Sequence, residues 1–162
     1  MTILDRFSLL DKVAIVTGAS SGLGAAFAIA VAEAGASVAI GARRSERLAQ
    51  TGAAVAAEGA RVLSASCDVT LPGDCEALVS RTMDEFGRVD ILINNAGVAS
   101  AIPAIRETPE QFRSVIDVNL MGSYWMAQAC ARVMLPGSSI INIGECPRLN
   151  DCLHATGRLL SQ

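Results

Sequence analysis

The stretch TGASSGLG, residues 17–24, separates the apolar run VAIVT (13–17) from an alanine-rich segment with helical spacing. A glycine-rich loop between a strand and a helix is the context that a phosphate-binding loop requires. Glycines at 18, 22 and 24 permit a tight turn and close approach of the backbone to a pyrophosphate, whose charge would face the helix N-terminus. The stretch therefore predicts a dinucleotide site, with close helix–strand packing as the alternative role of these glycines.

Around this loop, apolar runs alternate with helical segments along the chain. Near-continuous apolar strands separated by helices imply a parallel sheet covered on both faces, because parallel strands need crossover connections. Right-handed crossovers then give an α/β, Rossmann-type, doubly wound parallel sheet with helices on both faces. The predicted strands cover residues 13–17, 37–42, 61–66, 90–95 and 139–143, and the first three predicted helices cover 22–34, 45–58 and 72–86.

A longer helical region is predicted from Thr108 to about Leu135. Thr108 and Gln111 fit a capping box, and Pro109 stands at the first helical position. The pattern indicates a break near Asp117. The sequence PGS ends the region and leads into the fifth strand.

The character of the sequence changes after that strand. Residues 144–162 hold two of the five cysteines and the only histidine, and they show no clear strand or helix pattern. We therefore expect a dinucleotide-binding domain over residues 1–143, incomplete at its C-terminal side, followed by a divergent tail.

The bulk composition is that of one packed globular domain. The 162 residues are 51% hydrophobic and 18% charged, and domains commonly hold about 100 to 150 residues. A net charge of -3 argues against electrostatic binding to nucleic acid or to an anionic membrane. The first residues lack the pattern of a signal peptide, and no apolar run reaches the roughly 18 residues of a membrane helix. We expect a cytoplasmic protein with small-molecule partners.

The five cysteines form no CxxC pair, which favours free thiols in a reducing compartment. Cys146, Cys152 and His154 are the one set that suggests a metal site. A structural zinc site needs four ligands with recognisable paired spacing. We therefore expect no bound metal.

Several motifs, in order along the chain, resemble the short-chain dehydrogenase/reductase family. The glycine spacing is GxxxGxG, CDV follows the third strand, NNAG (94–97) follows the fourth, and DVNLMG lies in the long helical region. The resemblance covers residues 11–143. It implies that Asp68 contacts adenine, that NNAG shapes the sheet edge beside the cofactor, and that Asn119 is the catalytic asparagine.

The family's reaction is hydride transfer between a nicotinamide cofactor and an alcohol or carbonyl substrate, and the resemblance implies this reaction here. Each motif also has a local alternative, with Asp68 as a helix cap and the asparagines as loop hydrogen bonders. The cofactor-binding residues that the resemblance implies are Thr17, Gly18, Ser20, Ser21, Gly22, Leu23, Gly24, Arg43, Arg44, Asp68, Val69, Asn95, Ala96 and Gly97.

The residues after the second strand favour NADP(H) over NAD(H). An acidic residue there would bind the NAD ribose, but Arg43 and Arg44 occupy this place and no acid precedes Glu46. A guanidinium suits the 2'-phosphate of NADP. Against this, many NADP-using members of the family carry a basic residue where Ser21 stands. The alternative is that Arg43 and Arg44 are solvated surface residues that bind no cofactor.

The sequence departs from the family after the fifth strand. The resemblance implies a Ser there, a Tyr 13 residues later and a Lys four beyond it, the Tyr serving as acid/base. The strand is instead followed by Gly144, Glu145 and Cys146, and counting 13 and 17 from Glu145 reaches Arg158 and Gln162. None of these residues matches the chemistry that the family uses.

The chain's only tyrosine and only lysine do not replace that pair. Tyr124 has Gln128 four residues on, and we interpret it as a packing or helix-interface residue. Lys12 begins the first strand, at the sheet edge opposite the carboxyl ends where ligands bind. The fifth strand is expected to remain an exposed edge, which favours aggregation unless it is covered.

Three hypotheses follow. In the first, the chain derives from an NADP(H)-dependent oxidoreductase of alcohols and ketones. In the second, it binds the dinucleotide, or pairs with another subunit, without catalysis. In the third, it is a non-functional truncated product whose tail was read in the wrong frame. Expected partners are the cofactor and, in the family, a small alcohol or carbonyl substrate. A homo-oligomer through residues 108–135 is the further expectation, because family members usually pair through the equivalent helix.

Overall fold

A computed structural model of the chain describes residues 7–100 and 102–144. Its centre is a five-stranded sheet in the order β3-β2-β1-β4-β5, in which every neighbouring pair is parallel. This confirms the predicted α/β class. The strands are β1 (Val13–Thr17), β2 (Ser37–Ala42), β3 (Val62–Ser66), β4 (Ile91–Asn94) and β5 (Ser139–Asn142).

Helices cover both faces of the sheet, as the doubly wound topology requires. The helical elements are α1 (Gly22–Glu33), α2 (Ser45–Ala57), α3 (Pro72–Phe86), α4 (Pro109–Ile116), a π-helical segment (Asp117–Gly122) and α5 (Ser123–Ala131). On one face, α1 and α2 pack over Val16, Val38 and Ile40, and on the other α3 and α5 pack over Ile15 and Ala39. All five of these strand side chains are buried.

The long helical region has the predicted start. Thr108 Oγ1 accepts from the Gln111 backbone N–H, and Gln111 Oε1 accepts from the Thr108 N–H, which completes the capping box. The break expected near Asp117 is the π-helical segment. The predicted end at about Leu135 was wrong: α5 ends at Ala131, and a turn follows in which the Val133 and Met134 N–H groups donate to the Cys130 carbonyl. Leu135 itself precedes Pro136, a position that disfavours helical geometry.

Strand β5 is the outer strand of the described sheet. Ile140 and Ile141 are 41% and 44% exposed, whereas strands β1 and β2 are almost entirely buried. Of the predicted tail, the structure describes Gly144 alone, so the set of Cys146, Cys152 and His154 lies outside the described residues. Within residues 7–100 and 102–144, every helix is too short or too polar to cross a lipid bilayer.

Candidate cofactor site

The strand order places a cleft at the carboxyl edge of the sheet. The chain runs from β1 outward to β3 and then returns to β4 on the other side of β1, and ligands of open α/β sheets bind at such a switch point. A cleft of about 430 Å³ opens there. Its lining residues are Gly18, Ser20, Ser21, Ala42, Arg43, Arg44, Cys67, Asp68, Val69, Asn95, Ala96, Gly97, Val98 and Val118.

The glycine loop has the backbone geometry that a close ligand approach requires. Gly18 and Gly22 have φ values of +67° and +57°, in the left-handed region that favours glycine. The space where Gly22 would carry a Cβ is open. No side chain caps the N-terminus of α1, so its first amides remain available to an anion. The loop therefore fits a pyrophosphate.

Thr17 joins the glycine loop to the NNAG segment beneath the cleft. Its hydroxyl accepts from the backbone N–H groups of Asn95 and Ala96, both at 3.1 Å, and donates to the carbonyl of Ile93 at 3.4 Å. Asn95 Nδ2 in turn donates to the Thr17 carbonyl at 3.1 Å. Thr17 is buried, and its hydroxyl holds the backbone of Asn95 and Ala96, which line the cleft, in place.

Arg44 reaches from the end of β2 to the glycine loop. Its Nη2 donates to Ser20 Oγ at 3.0 Å and to Ser21 Oγ at 2.7 Å, and its Nε donates to Ser20 Oγ at 3.2 Å. A guanidinium and two hydroxyl groups therefore meet at one end of the cleft. Such a group of donors can bind a phosphate.

Asp68 is an ionised carboxylate in the wall of the cleft. Burial by itself would raise the pKa of Asp68, but hydrogen bonds from the Thr70 backbone and hydroxyl, together with nearby Arg43, outweigh it and lower the pKa. Arg43 Nη1 lies 3.8 Å from Asp68 Oδ2. Asp68 does not cap α3, because Leu71 holds the N-cap position. The carboxylate is available to a ligand's hydrogen-bond donor.

Asn119 holds the loop after NNAG. Its Oδ1 accepts from the Val98 backbone N–H and its Nδ2 donates to the Val98 carbonyl, both at 2.9 Å. The side-chain amide therefore positions Val98, which lines the cleft. Asn119 itself is exposed beside this loop.

The comparison with known proteins agrees with this architecture. The sequence pattern of the family described as short chain dehydrogenase matches residues 12–145. The chain belongs to this family. It is 38% identical over 146 residues to 2-dehydro-3-deoxy-D-gluconate 5-dehydrogenase of Dickeya dadantii, covering 88% of this chain and 57% of that protein.

Solved structures of other family members have the same fold. A short-chain type dehydrogenase/reductase from Mycobacterium marinum is 39% identical with a TM-score of 0.80, over 82% of this chain and 54% of that one. A metagenomic short-chain oxidoreductase in complex with NADP is 34% identical with a TM-score of 0.79, over 86% and 64%. The chain spans about half the length of the curated relatives it matches.

Not every family position predicted from the sequence lies at the cleft surface. Gly24 is buried behind the loop, packed against the Gly18 carbonyl and the Asn95 side chain. Leu23 is 62% exposed in the first turn of α1, outside the lining of the cleft. Sequence reasoning missed four lining residues, all next to predicted positions along the chain: Ala42, Cys67, Val98 and Val118.

The three described cysteines, Cys67, Cys75 and Cys130, are free and buried. A hydrogen bond to Cys75 and burial raise the pKa of Cys67, so the thiol in the cleft wall stays protonated. Burial raises the pKa of Cys130 to about 12. A thiol nucleophile needs a lowered pKa, so Cys67 and Cys130 are packing residues of this family member. Among the described residues, no three His, Cys, Asp or Glu side chains converge as metal ligands.

Tyr124 and Lys12 do not meet. Tyr124 lies on α5, is 55% exposed and packs edge to face against Trp125. Lys12 precedes β1 at the amino edge of the sheet, where its Nζ lies 3.5 Å from Asp90 Oδ1. The lysine and the cleft are therefore at opposite ends of β1.

Proposed function

We propose that the chain is the cofactor-binding half of an NAD(P)(H)-dependent short-chain dehydrogenase/reductase. The observation that carries this proposal is the cleft at the switch point, with an open glycine loop and an uncapped helix N-terminus on one side and an ionised Asp68 on the other. Bound nicotinamide would supply the hydride acceptor or donor of the reaction. The substrate belongs to the alcohols and carbonyl compounds on which the family acts.

The proposed cofactor is NADP(H). Arg44, Ser20 and Ser21 together present a cation and two hydroxyl groups at the place where a 2'-phosphate would lie in this fold. The structurally similar metagenomic oxidoreductase is a complex with NADP. Arg43 contributes less to this preference, because Asp68 already pairs with it.

In this proposal, the described residues bind and orient the dinucleotide cofactor. The loop at Gly18 and Gly22 approaches the pyrophosphate, and Thr17 and Asn119 hold the neighbouring loops in place through the bonds described above. We place the protein in the reducing, cytoplasmic setting expected from its cysteine pattern. We also propose that the dinucleotide-binding domain ends at residue 143 and that a divergent tail follows it.

Titration of the chain with NADPH and with NADH, followed by nicotinamide fluorescence, tests the proposal. The control variant is Gly18→Trp, because a Cβ at Gly18 would lie 2.7 Å from Ala96 Cα and φ is +67°. We expect the chain to bind NADPH and the variant not to bind it. Absence of binding to the unchanged, folded chain would contradict the proposal.

A second proposed role is pairing between copies of the chain. Phe112, Leu120 and Tyr124, along α4, the π-helical segment and α5, are 57%, 59% and 55% exposed. Large apolar groups exposed along one helical region favour association. A second copy of the same region is the proposed partner, because family members usually pair through the equivalent helix.

A further inference from the structure

Gly122 is the last residue of the π-helical segment and is buried against Val69. A Cβ added at Gly122 would lie 2.6 Å from Val69 Cγ2, 3.0 Å from Val69 Cβ and 3.3 Å from the Val69 carbonyl oxygen. The first distance is too short for any real Cβ contact. The helix and the Val69 backbone therefore pack together only because residue 122 has no side chain.

Val69 also belongs to the wall of the cleft. It lies there with Asp68 and with Val118, and Val118 stands on the same π-helical segment as Gly122. Val69 is packed from other directions too, since it joins the buried cluster under α3 and α5 and its carbonyl accepts from Cys75 Sγ at 3.6 Å. A displacement of Val69 from Gly122 therefore changes its distance to Val118 and the shape of this end of the cleft.

The π-helical geometry explains why these contacts coincide. The segment brings Asn119 to Val98, Val118 to the cleft and Gly122 to Val69. Short π-helical turns within helices occur frequently at functional sites, and glycine is among the least favourable residues for a helix interior. Glycine at this position is thus a local cost that the contact with Val69 explains.

We propose that Gly122 is a positioning residue for the dinucleotide: it lets the π-helical segment close against Val69 and so fixes the spacing of Val69 and Val118 across one end of the cleft. This inference rests on the proposed function, because it assigns Gly122 to the binding of the same cofactor. Gly122 touches no ligand itself and acts through Val69.

The test compares three variants of the full chain for NADPH affinity and thermal stability. Gly122→Ala inserts the clashing methyl group, and Gly122→Ala/Val69→Ala removes the Cγ2 atom that it meets. The matched control is Gly52→Ala, where a Cβ would lie 2.7 Å from Ser64 Oγ, in packing away from the cleft. The control reproduces a close contact between a helix and the sheet without touching a cleft residue.

We expect Gly122→Ala to weaken NADPH binding by about tenfold or more, since overpacking displaces neighbouring groups. The double variant should bind NADPH more tightly than Gly122→Ala, because the atom that the new Cβ meets is gone and the two residues are coupled neighbours. Gly52→Ala should leave NADPH affinity unchanged. Unchanged affinity in Gly122→Ala, or a double variant as weak as the single one, would overturn the inference. If Gly122→Ala does not fold, a folded double variant that binds NADPH supports the inference, and one that also fails to fold contradicts it.

Methyl NMR of the ligand-free chain separates this inference from the proposed function. In Gly122→Ala the methyl resonances of Val69 and Val118 should both shift, whether or not a dinucleotide binds. Unmoved resonances would contradict the role of Gly122. Failure of the unchanged chain to bind NADPH would contradict the proposed function, while the methyl resonances would still show whether Gly122 fixes the spacing of Val69 and Val118.

Discussion

The side-chain amide of Asn119 and the backbone of Val98 form two hydrogen bonds of 2.9 Å, one in each direction. A planar amide paired with a peptide group in this way uses both its donor and its acceptor. Asn119 was predicted as a catalytic asparagine, with loop hydrogen bonding as the alternative, and its side chain makes the loop hydrogen bonds. Its contribution is therefore expected first in the position of the cleft wall.

The first prediction is that Asn119→Ala loosens the loop at Val98. Each lost hydrogen bond costs roughly 0.5 to 1.5 kcal/mol, and amide hydrogen exchange at Val98 should quicken while NADPH binds more weakly. Asn119→Asp, which keeps an acceptor for the Val98 N–H but loses the donor, should lie between. Unchanged exchange at Val98 in Asn119→Ala would show that other contacts hold the loop.

The second prediction concerns cofactor choice. Arg44→Ala removes the cation that bridges Ser20 and Ser21, and hydrogen bonds to charged groups are worth about 1.5 to 3 kcal/mol. NADPH affinity should therefore fall by roughly 10- to 150-fold while NADH affinity changes little. Arg43→Ala should have the smaller effect. Arg132→Ala, which removes a distant cation paired with Glu76, is the control, and an equal loss there would point to net charge instead.

The third prediction concerns association of the chain. We expect light scattering to show oligomers at micromolar concentration, and Leu120→Arg to shift them toward the monomer by placing a charge in the exposed apolar region. Leu71→Arg introduces the same charge at a residue of similar exposure, 54% against 59%, and should leave the oligomers intact. A monomeric unchanged chain would argue against pairing.

Local sequence patterns predicted the helices and strands of this fold. Strand β1, the glycine loop and the capping box at Thr108 were predicted because periodicity, glycine spacing and cap residues are properties of short segments. The doubly wound parallel sheet followed from the alternation of strands and helices and the handedness of crossovers. These signals were enough to place Asp68 and Asn95 at the same edge of the sheet.

Contacts between segments that are distant in sequence could not be predicted from such local patterns. The approach of Gly122 to Val69 joins two segments distant in sequence, and no spacing rule indicates it. The bond from Arg44 to Ser21 likewise depends on a side-chain conformation. Leu23 was included because it lies within a motif, yet the first helical turn points it outward. Three of the four lining residues that were missed, Ala42, Val98 and Val118, have apolar side chains that carry no chemical signal of their own.

The fourth prediction is a pH dependence centred on Asp90, whose side chain is 11% exposed and pairs with Arg88 and Lys12. Burial by itself would raise the pKa of Asp90, but hydrogen bonds from Arg88 and the Val13 N–H and the two cations outweigh it and hold the pKa below its ordinary value. A lowered folded pKa stabilises the fold above the unfolded value, and this stability is lost as the pH falls through the folded pKa.

Asp90→Asn should therefore reduce the free energy of unfolding near pH 7 by about 1.5 to 3 kcal/mol. It should also flatten the loss of stability below about pH 4, because the titrating group is gone. Chemical denaturation at a series of pH values measures both effects. Asp84→Asn, at an exposed carboxylate on α3, is the matched control, and an acid dependence unchanged by Asp90→Asn would assign it to other groups.

The last prediction is that the 162-residue chain does not transfer hydride at an enzymatic rate, even where it binds NADPH. Hydride addition to a carbonyl leaves an alkoxide that needs a proton donor, and positioned acid/base catalysis contributes typically about 10²- to 10⁴-fold. Tyr124 is half exposed on α5 and Lys12 is bound to Asp90 at the opposite sheet edge. No other tyrosine or lysine occurs in the sequence. The 162 residues therefore contain no tyrosine paired with a lysine for this role.

The measurement is the loss of NADPH absorbance with a panel of ketones and aldehydes. Gly18→Trp, purified in the same way, serves as the contaminant control, because its side chain would fill the glycine loop against Ala96. We expect the two preparations to give the same background rate. Turnover by the unchanged chain that disappears in Gly18→Trp would refute the prediction, and it would require a proton donor other than a tyrosine paired with a lysine.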